Sequence, residues 1–162
     1  MHDRLSHTGA TLALTQELAD MQLLQELSSE LIAEQRIDSL YDRVAAAAAC
    51  LMRSDFASMQ MLHAERNGGE LRLLAHRGFT PEAADCWRWV GHDTASSCGA
   101  AMRAGQRIVI HDIEQCDFLA GTANLDAYRD AGIRAAQSTP LFDRDGQLVG
   151  MLSTHWRGVH GP

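Results

Sequence analysis

LDAYRDAGIRAAQSTPLFDRDGQLVGMLSTHWR, residues 125–157, contains in order a short helix, a strand, a tight turn and a second strand. Gly132 stops the helix, and the polar turn Asp143–Gly146 folds the two strands into an antiparallel hairpin. Polar residues interrupt strands that otherwise look buried: Gln137, Ser138 and Thr139 in the first, Ser153, Thr154 and His155 in the second. On a buried face such groups destabilise the fold unless they find partners. A ligand cavity is one way to supply those partners, so the segment points to a binding module more than to a catalytic loop.

Working upstream, residues 111–124 carry little periodic signal and read as a loop. Arg107–Ile110 is a strand, and Thr94–Ala104 (TASSCGAAMRA) is a small-residue helix stopped by Gly105. Pro81 at a first helical position behind Thr80 starts another helix, expected to carry both Trp87 and Trp89. Two residues apart, the two indoles face different ways, one toward the core and one toward a lid or interface. Phe56–Ala64 and Glu70–His76 form a hairpin across the turn Asn67–Gly69. Asp38 is placed to cap a helix from Ser39 to Met52 that contains the alanine run Ala45–Ala49. Residues 11–35 lack Gly and Pro and carry two adjacent stripes at helical spacing, one through Leu14, Leu18, Met21, Gln25, Ser28 and Ile32, the other through Leu24, Leu27 and Leu31. One stripe can pack on the domain while the other meets a second copy; both covering one sheet is the plainer alternative. Five or six strands in hairpins, with helices before and between them, make an α+β domain with a mainly antiparallel sheet.

At 162 residues the chain is one domain with room for a full core. Its 21 Asp+Glu against 14 Lys+Arg give a formal charge of −7, which repels phosphate backbones. Neither nucleic acid nor a membrane surface is an expected partner. The N-terminus lacks a secretory pattern and no apolar run has membrane-spanning length, so the expected location is the cytoplasm. The cysteines, Cys50, Cys86, Cys98 and Cys116, stand 36, 12 and 18 residues apart with no C-x-x-C pair, and are expected as thiols.

The segments DFASMQML, SSCGAAMRAGQRIVIHDI and YRDAGIRAAQSTPLFDRDGQLVGMLSTHWR together resemble a GAF domain, the small-molecule sensory module of bacterial signalling proteins. The resemblance spans roughly residues 20–157 and is most specific in the last segment. It implies a central antiparallel sheet of about six strands, with N-terminal helices on one face and pocket-forming helices and loops on the other. It also implies a division into an N-terminal helical extension (1–19), the domain itself (20–158) and a tail (159–162). Attachment to a sensor histidine kinase and a homodimer formed through the N-terminal helix are further implications.

Strand alternation puts Val149, Met151, Ser153 and His155 on one face of the last strand. In phytochrome-like relatives a histidine at the position of His155 and a serine at that of Ser138 face the ligand. The candidate ligand-binding residues are therefore His155, Ser138 and Ser153, joined by Cys98 at the central helix start, Asn124 and Tyr128 one helical turn apart, and Asp117 and Phe118 in the preceding loop. The ligand itself is not specified. Covalent bilin attachment in such relatives uses a Cys–His pair where this chain has Ala123 and Asn124, which argues against that route. Haem ligation by His63, His92, His111 or His155 is not favoured by any spacing. Thr94, Ser96 and Ser97 could supply donors to a phosphate, although the acidic balance works against an anion. Asp112 reads as a cap for the loop after it.

The enzyme alternative is a free methionine-(R)-sulfoxide reductase, a GAF-type enzyme with a cysteine in a Cys-Gly context like Cys98–Gly99. It needs a lowered thiol pKa at Cys98 and a resolving cysteine, for which only Cys86 and Cys116 are placed. The spacing to Cys116 is short, and Ser138, Thr139 and Ser153 stand where that family has carboxylates. A ligand-free dimerisation unit is the remaining alternative.

Overall fold

The Ser138 and Ser153 strands pair as the hairpin requires, and everything else is built around them. The computed structural model describes residues 14–26, 28 and 37–160. Helix α1 (residues 14–26) and helix α2 (Ile37–Leu51) precede strands β1 (Phe56–His63) and β2 (Glu70–Arg77). Helix α3 (Pro81–Cys86), strand β3 (Trp89–Gly91), helix α4 (Ser97–Ala104) and strand β4 (Ile108–Ile110) follow. A 3₁₀ turn (Ile113–Gln115), helix α5 (Ala123–Asp130) and the hairpin β5 (Ala135–Phe142) and β6 (Leu148–Trp156) close the chain. The order β3-β2-β1-β6-β5-β4 is one six-stranded, wholly antiparallel sheet in an α+β fold.

Two elements differ from the sequence expectation. The helix that starts at Pro81 ends at Cys86, with Trp87 as its C-cap, and Trp89 opens a short edge strand. Nothing local stops the helix there; pairing of Arg72 with Trp89 and Leu71 with Val90 pulls these residues into the sheet. Helix α2 runs from Ile37 among the described residues, so Asp38 lies within the helix and not at a position before it. The stripe residues Leu27, Leu31 and Ile32 lie outside the described residues. Within α1, Leu14, Leu18, Met21 and Leu24 are all exposed.

The two faces of the sheet are packed by different chemistry. On one, Ala45 of α2 meets Ala57 and Ala75, with Tyr41, Ala49 and Met59 around them. Small side chains on both surfaces let the helix axis come close to the strands. On the other, α3, α4, α5 and the loops around them roof a larger core that includes Phe56, Trp87, Ile113, Leu119, Tyr128 and Met151. Gly150 of β6 lies tight against the backbone of β1, where an added Cβ would sit 2.5 Å from the carbonyl oxygen of Gln60.

Candidate functional site

A row of residues directly opposite one another crosses the roofed face: Ile108, Ser138, Ser153, Ser58 and His76. The neighbouring rows place Ala136, His155 and Phe56 on one side and Pro140, Met151 and Gln60 on the other. The alternation of β6 thus directs Ser153 and His155 away from α2 and under the roof, as the sequence suggested. All of Ser58, Gln60, Ser138, Ser153 and His155 are buried.

Helix α4 completes one end of this polar stripe. Ser96 caps it, its hydroxyl accepting the Gly99 N–H at 3.1 Å, and this aims the first turn down at the sheet. Cys98 Sγ lies 3.3 Å from both Ser138 Oγ and Ser153 Oγ, which are 2.8 Å from each other. Ser138 donates to Ser97 Oγ at 2.8 Å, and Tyr128 of α5 accepts the Ser97 N–H at 3.2 Å. Each of these buried groups therefore has partners inside the protein. Burial pushes the Cys98 thiol and the Tyr128 phenol above their usual ranges. For Cys98 desolvation outweighs the three serine hydroxyls, so the thiol stays protonated despite its place in a helix's first turn. That works against the resting thiolate a sulfoxide reductase needs. The thiols of Cys50, Cys86, Cys98 and Cys116 are all free.

The other end of the stripe is a small cavity. Its floor is Ser58, Gln60, Leu73 and His155, and its walls are Phe79, Trp87, Val90, Ser96, Cys98 and Tyr128. About 10 Å³ lies open inside, room for roughly one water. His155 touches three aromatic rings: Phe79 at 5.5 Å between centroids, Tyr128 at 6.3 Å and Trp87 at 6.5 Å. Burial among them drives the imidazole pKa down to about 3, so His155 is neutral at physiological pH. Its Nδ1 has no hydrogen-bond partner, and neither has Gln60 Oε1. The Gln60 amide is oriented by its Nε2, which donates to the Trp87 carbonyl at 3.3 Å. Two other buried unpaired atoms, Thr154 Oγ1 and Trp156 Nε1, belong to the opposite face of β6.

Of the sequence candidates, Ser138, Ser153, Cys98, Tyr128 and His155 come together here. Asn124 sits one step back, its Oδ1 accepting the Trp87 indole N–H at 3.2 Å, so it holds the cavity wall instead of lining it. Asp117 and Phe118 point outward and are exposed; the loop sends Leu119 inward in their place. Asp112 caps the 3₁₀ turn through the Glu114 N–H and pairs with Arg134 at 2.6 Å. Ser58 and Gln60 were missed from sequence. They lie two apart in FASMQMLH, the same signal of polar residues on one face of an apolar strand that marked Ser153 and His155.

A six-stranded antiparallel sheet with a roofed polar face is the arrangement the resemblance implied, and the sequence matches the GAF domain profile over residues 36–160. The chain belongs to the GAF domain family. Comparison with curated proteins returned no match. Among solved structures this GAF domain is similar to that of a phosphoenolpyruvate-protein phosphotransferase from Coxiella burnetii, with a TM-score of 0.68, 15% identity, and 87% of this chain and 79% of that one covered. It is also similar to a domain of a two-component sensor histidine kinase protein from Sinorhizobium meliloti (TM-score 0.61, 19% identity, 80% and 78% covered). The free methionine-R-sulfoxide reductase of Neisseria meningitidis, solved with its substrate, matches at a TM-score of 0.64 with 17% identity, covering 86% and 74%. At these identities the likeness concerns the fold. Among the described residues no helix is long and apolar enough to cross a membrane.

Proposed function

We propose that this GAF domain is the sensory module of a bacterial signalling protein, a sensor histidine kinase being the favoured setting, and that it binds a small molecule over the sheet. The observation that carries this is the pair of unpartnered polar atoms, His155 Nδ1 and Gln60 Oε1, on two side chains that line a cavity walled by aromatic rings. Leaving a buried polar atom unpaired costs about 1–3 kcal/mol, a burden that a ligand's hydrogen bonds would lift. At its present volume the cavity is a closed state, and binding requires Trp87 and its short connection to swing outward. A ligand that prefers the open state shifts the population toward it.

The signal leaves through the N-terminal helices. Leu14, Leu18, Met21 and Leu24 are exposed on α1, which suits a helical pair formed with a second copy. α2 packs directly on β1 and β2, the strands that carry Ser58, Gln60 and Leu73 of the cavity floor. The thermal midpoint of the purified domain tests the binding claim when measured with and without the low-mass fraction of a cell lysate. A rise that is lost in His155→Leu supports it, and an unchanged midpoint opposes it. Light scattering after removal of residues 1–28 tests the pairing; an unaltered dimer would refute the role given to α1.

A further inference from the structure

The cavity's chemistry narrows what it can hold, if it is the sensory site proposed above. None of its lining side chains is Lys, Arg, Asp or Glu, and burial keeps the three ionisable groups it has, His155, Tyr128 and Cys98, neutral. A phosphate or carboxylate drawn into it would lose its water and gain no counter-charge, which several kcal/mol of desolvation forbids. A free ammonium fares no better, because no carboxylate waits for it.

The walls are instead shaped for a ring. Trp87 and His155 lie nearly parallel, 12° apart in plane, with centroids 6.5 Å from each other. A planar molecule between them needs about 3.5 Å to each face, more than the closed cavity offers, so the slot exists only when Trp87 swings outward. Phe79 and Tyr128 flank His155 at 5.5 and 6.3 Å and would bound the ring's edge. Movement of Trp87 breaks its ring contacts with Tyr128 and Phe79, at 5.0 and 5.3 Å between centroids, its hydrogen bond to Asn124 and Gln60's hold on its carbonyl.

The polar atoms then fix the pattern on the ring. Because Gln60 Nε2 is committed to a carbonyl, Gln60 Oε1 is left as an acceptor and needs an N–H or O–H from the ligand. His155 Nδ1 is donor or acceptor according to tautomer and complements whichever group lies beside it. Both residues are almost wholly buried, at 2% and 4% exposure, so their preferences are not diluted by solvent. We infer that the cavity takes an uncharged, planar heterocycle with at least one hydrogen-bond donor, stacked between Trp87 and His155 with the donor on Gln60 Oε1.

Isothermal titration calorimetry with matched probes tests this. Nicotinamide and adenosine are the neutral members, nicotinate and adenosine 5′-monophosphate their charged counterparts, each titrated to millimolar concentration. The expected result is binding of at least one neutral probe, with its charged counterpart about a hundredfold weaker or silent. Gln60→Leu, which keeps the bulk and removes the acceptor, weakens that binding about tenfold while the near-ultraviolet circular dichroism stays native. Charged probes binding as well as neutral ones, with the same loss in Gln60→Leu, would overturn the ligand class and leave the sensory site standing. Binding indifferent to Gln60→Leu would overturn the hydrogen-bond assignment. Silence from all four would count against the class and the cavity together.

Discussion

The polar stripe over the sheet has two ends that are alike in burial and opposite in condition. At one, Ser97, Cys98, Tyr128, Ser138 and Ser153 satisfy one another within a few ångströms. At the other, His155 Nδ1 and Gln60 Oε1 are as deeply buried and have no partner. A fully satisfied network fixes the structure around it; a half-satisfied one lowers stability and is kept where it serves something else. The first end reads as the frame of the site and the second as the site.

That contrast can be broken by mutation. The largest effect is expected at Gly99, which lets α4 seat its first turn against the 91–94 turn. A Cβ there would overlap the Thr94 carbonyl oxygen, so Gly99→Ala displaces Ser97 and Cys98 and costs about 3 kcal/mol or more in urea denaturation. Next, Ser138→Ala removes the hydroxyl that Ser97, Cys98 and Ser153 share, and a loss of about 1–3 kcal/mol is expected.

The open end answers to pH instead. His155 has a folded pKa of about 3, below its ordinary value near 6.5, so between those values the unfolded chain binds the extra proton. Its contribution to stability is intact above about pH 6.5 and is lost as pH falls toward 3, at up to about 1.4 kcal/mol per unit. Stability measured from about pH 7 to 5 should slope in the wild type and flatten in His155→Phe; equal slopes would mean the imidazole is not buried as described. The smallest effect is expected from Gln60→Leu. Removing the unpaired Oε1 offsets the loss of the Nε2 bond to the Trp87 carbonyl, so stability should shift by about 1 kcal/mol or less, in contrast to Ser138→Ala. If the two variants were equally damaging, the distinction between frame and site would fail.

Much of this was readable before any coordinates. The β5–β6 hairpin follows from alternation and the Asp143–Gly146 turn, and Thr80–Pro81 and Gly105 do mark helix boundaries. The inward direction of Ser138, Ser153 and His155 comes from period-two geometry once buried strands are assumed. What escaped depends on contacts distant in sequence. Trp89 belongs to a strand because it pairs with Arg72, and no local signal in ADCWRWV says so. Asp117 and Phe118 were placed in the pocket by a loop's general position, whereas the side chain that turns inward depends on how residues 116–122 coil beneath α5. Ser58 and Gln60 were legible by the rule applied to β6, but the weak alternation of FASMQMLH concealed which residues share a face. The near-closure of the cavity is a matter of packed volume, which no pattern in the chain encodes.

The central claim is that the unpartnered end of the stripe exists to hold a small molecule. Native mass spectrometry of protein purified without denaturation tests it most directly, on the wild type beside Gln60→Leu. A non-covalent adduct on the wild type that is lost or much diminished in the variant is the predicted result. Bare protein mass in both, or the same adduct in both, would contradict it.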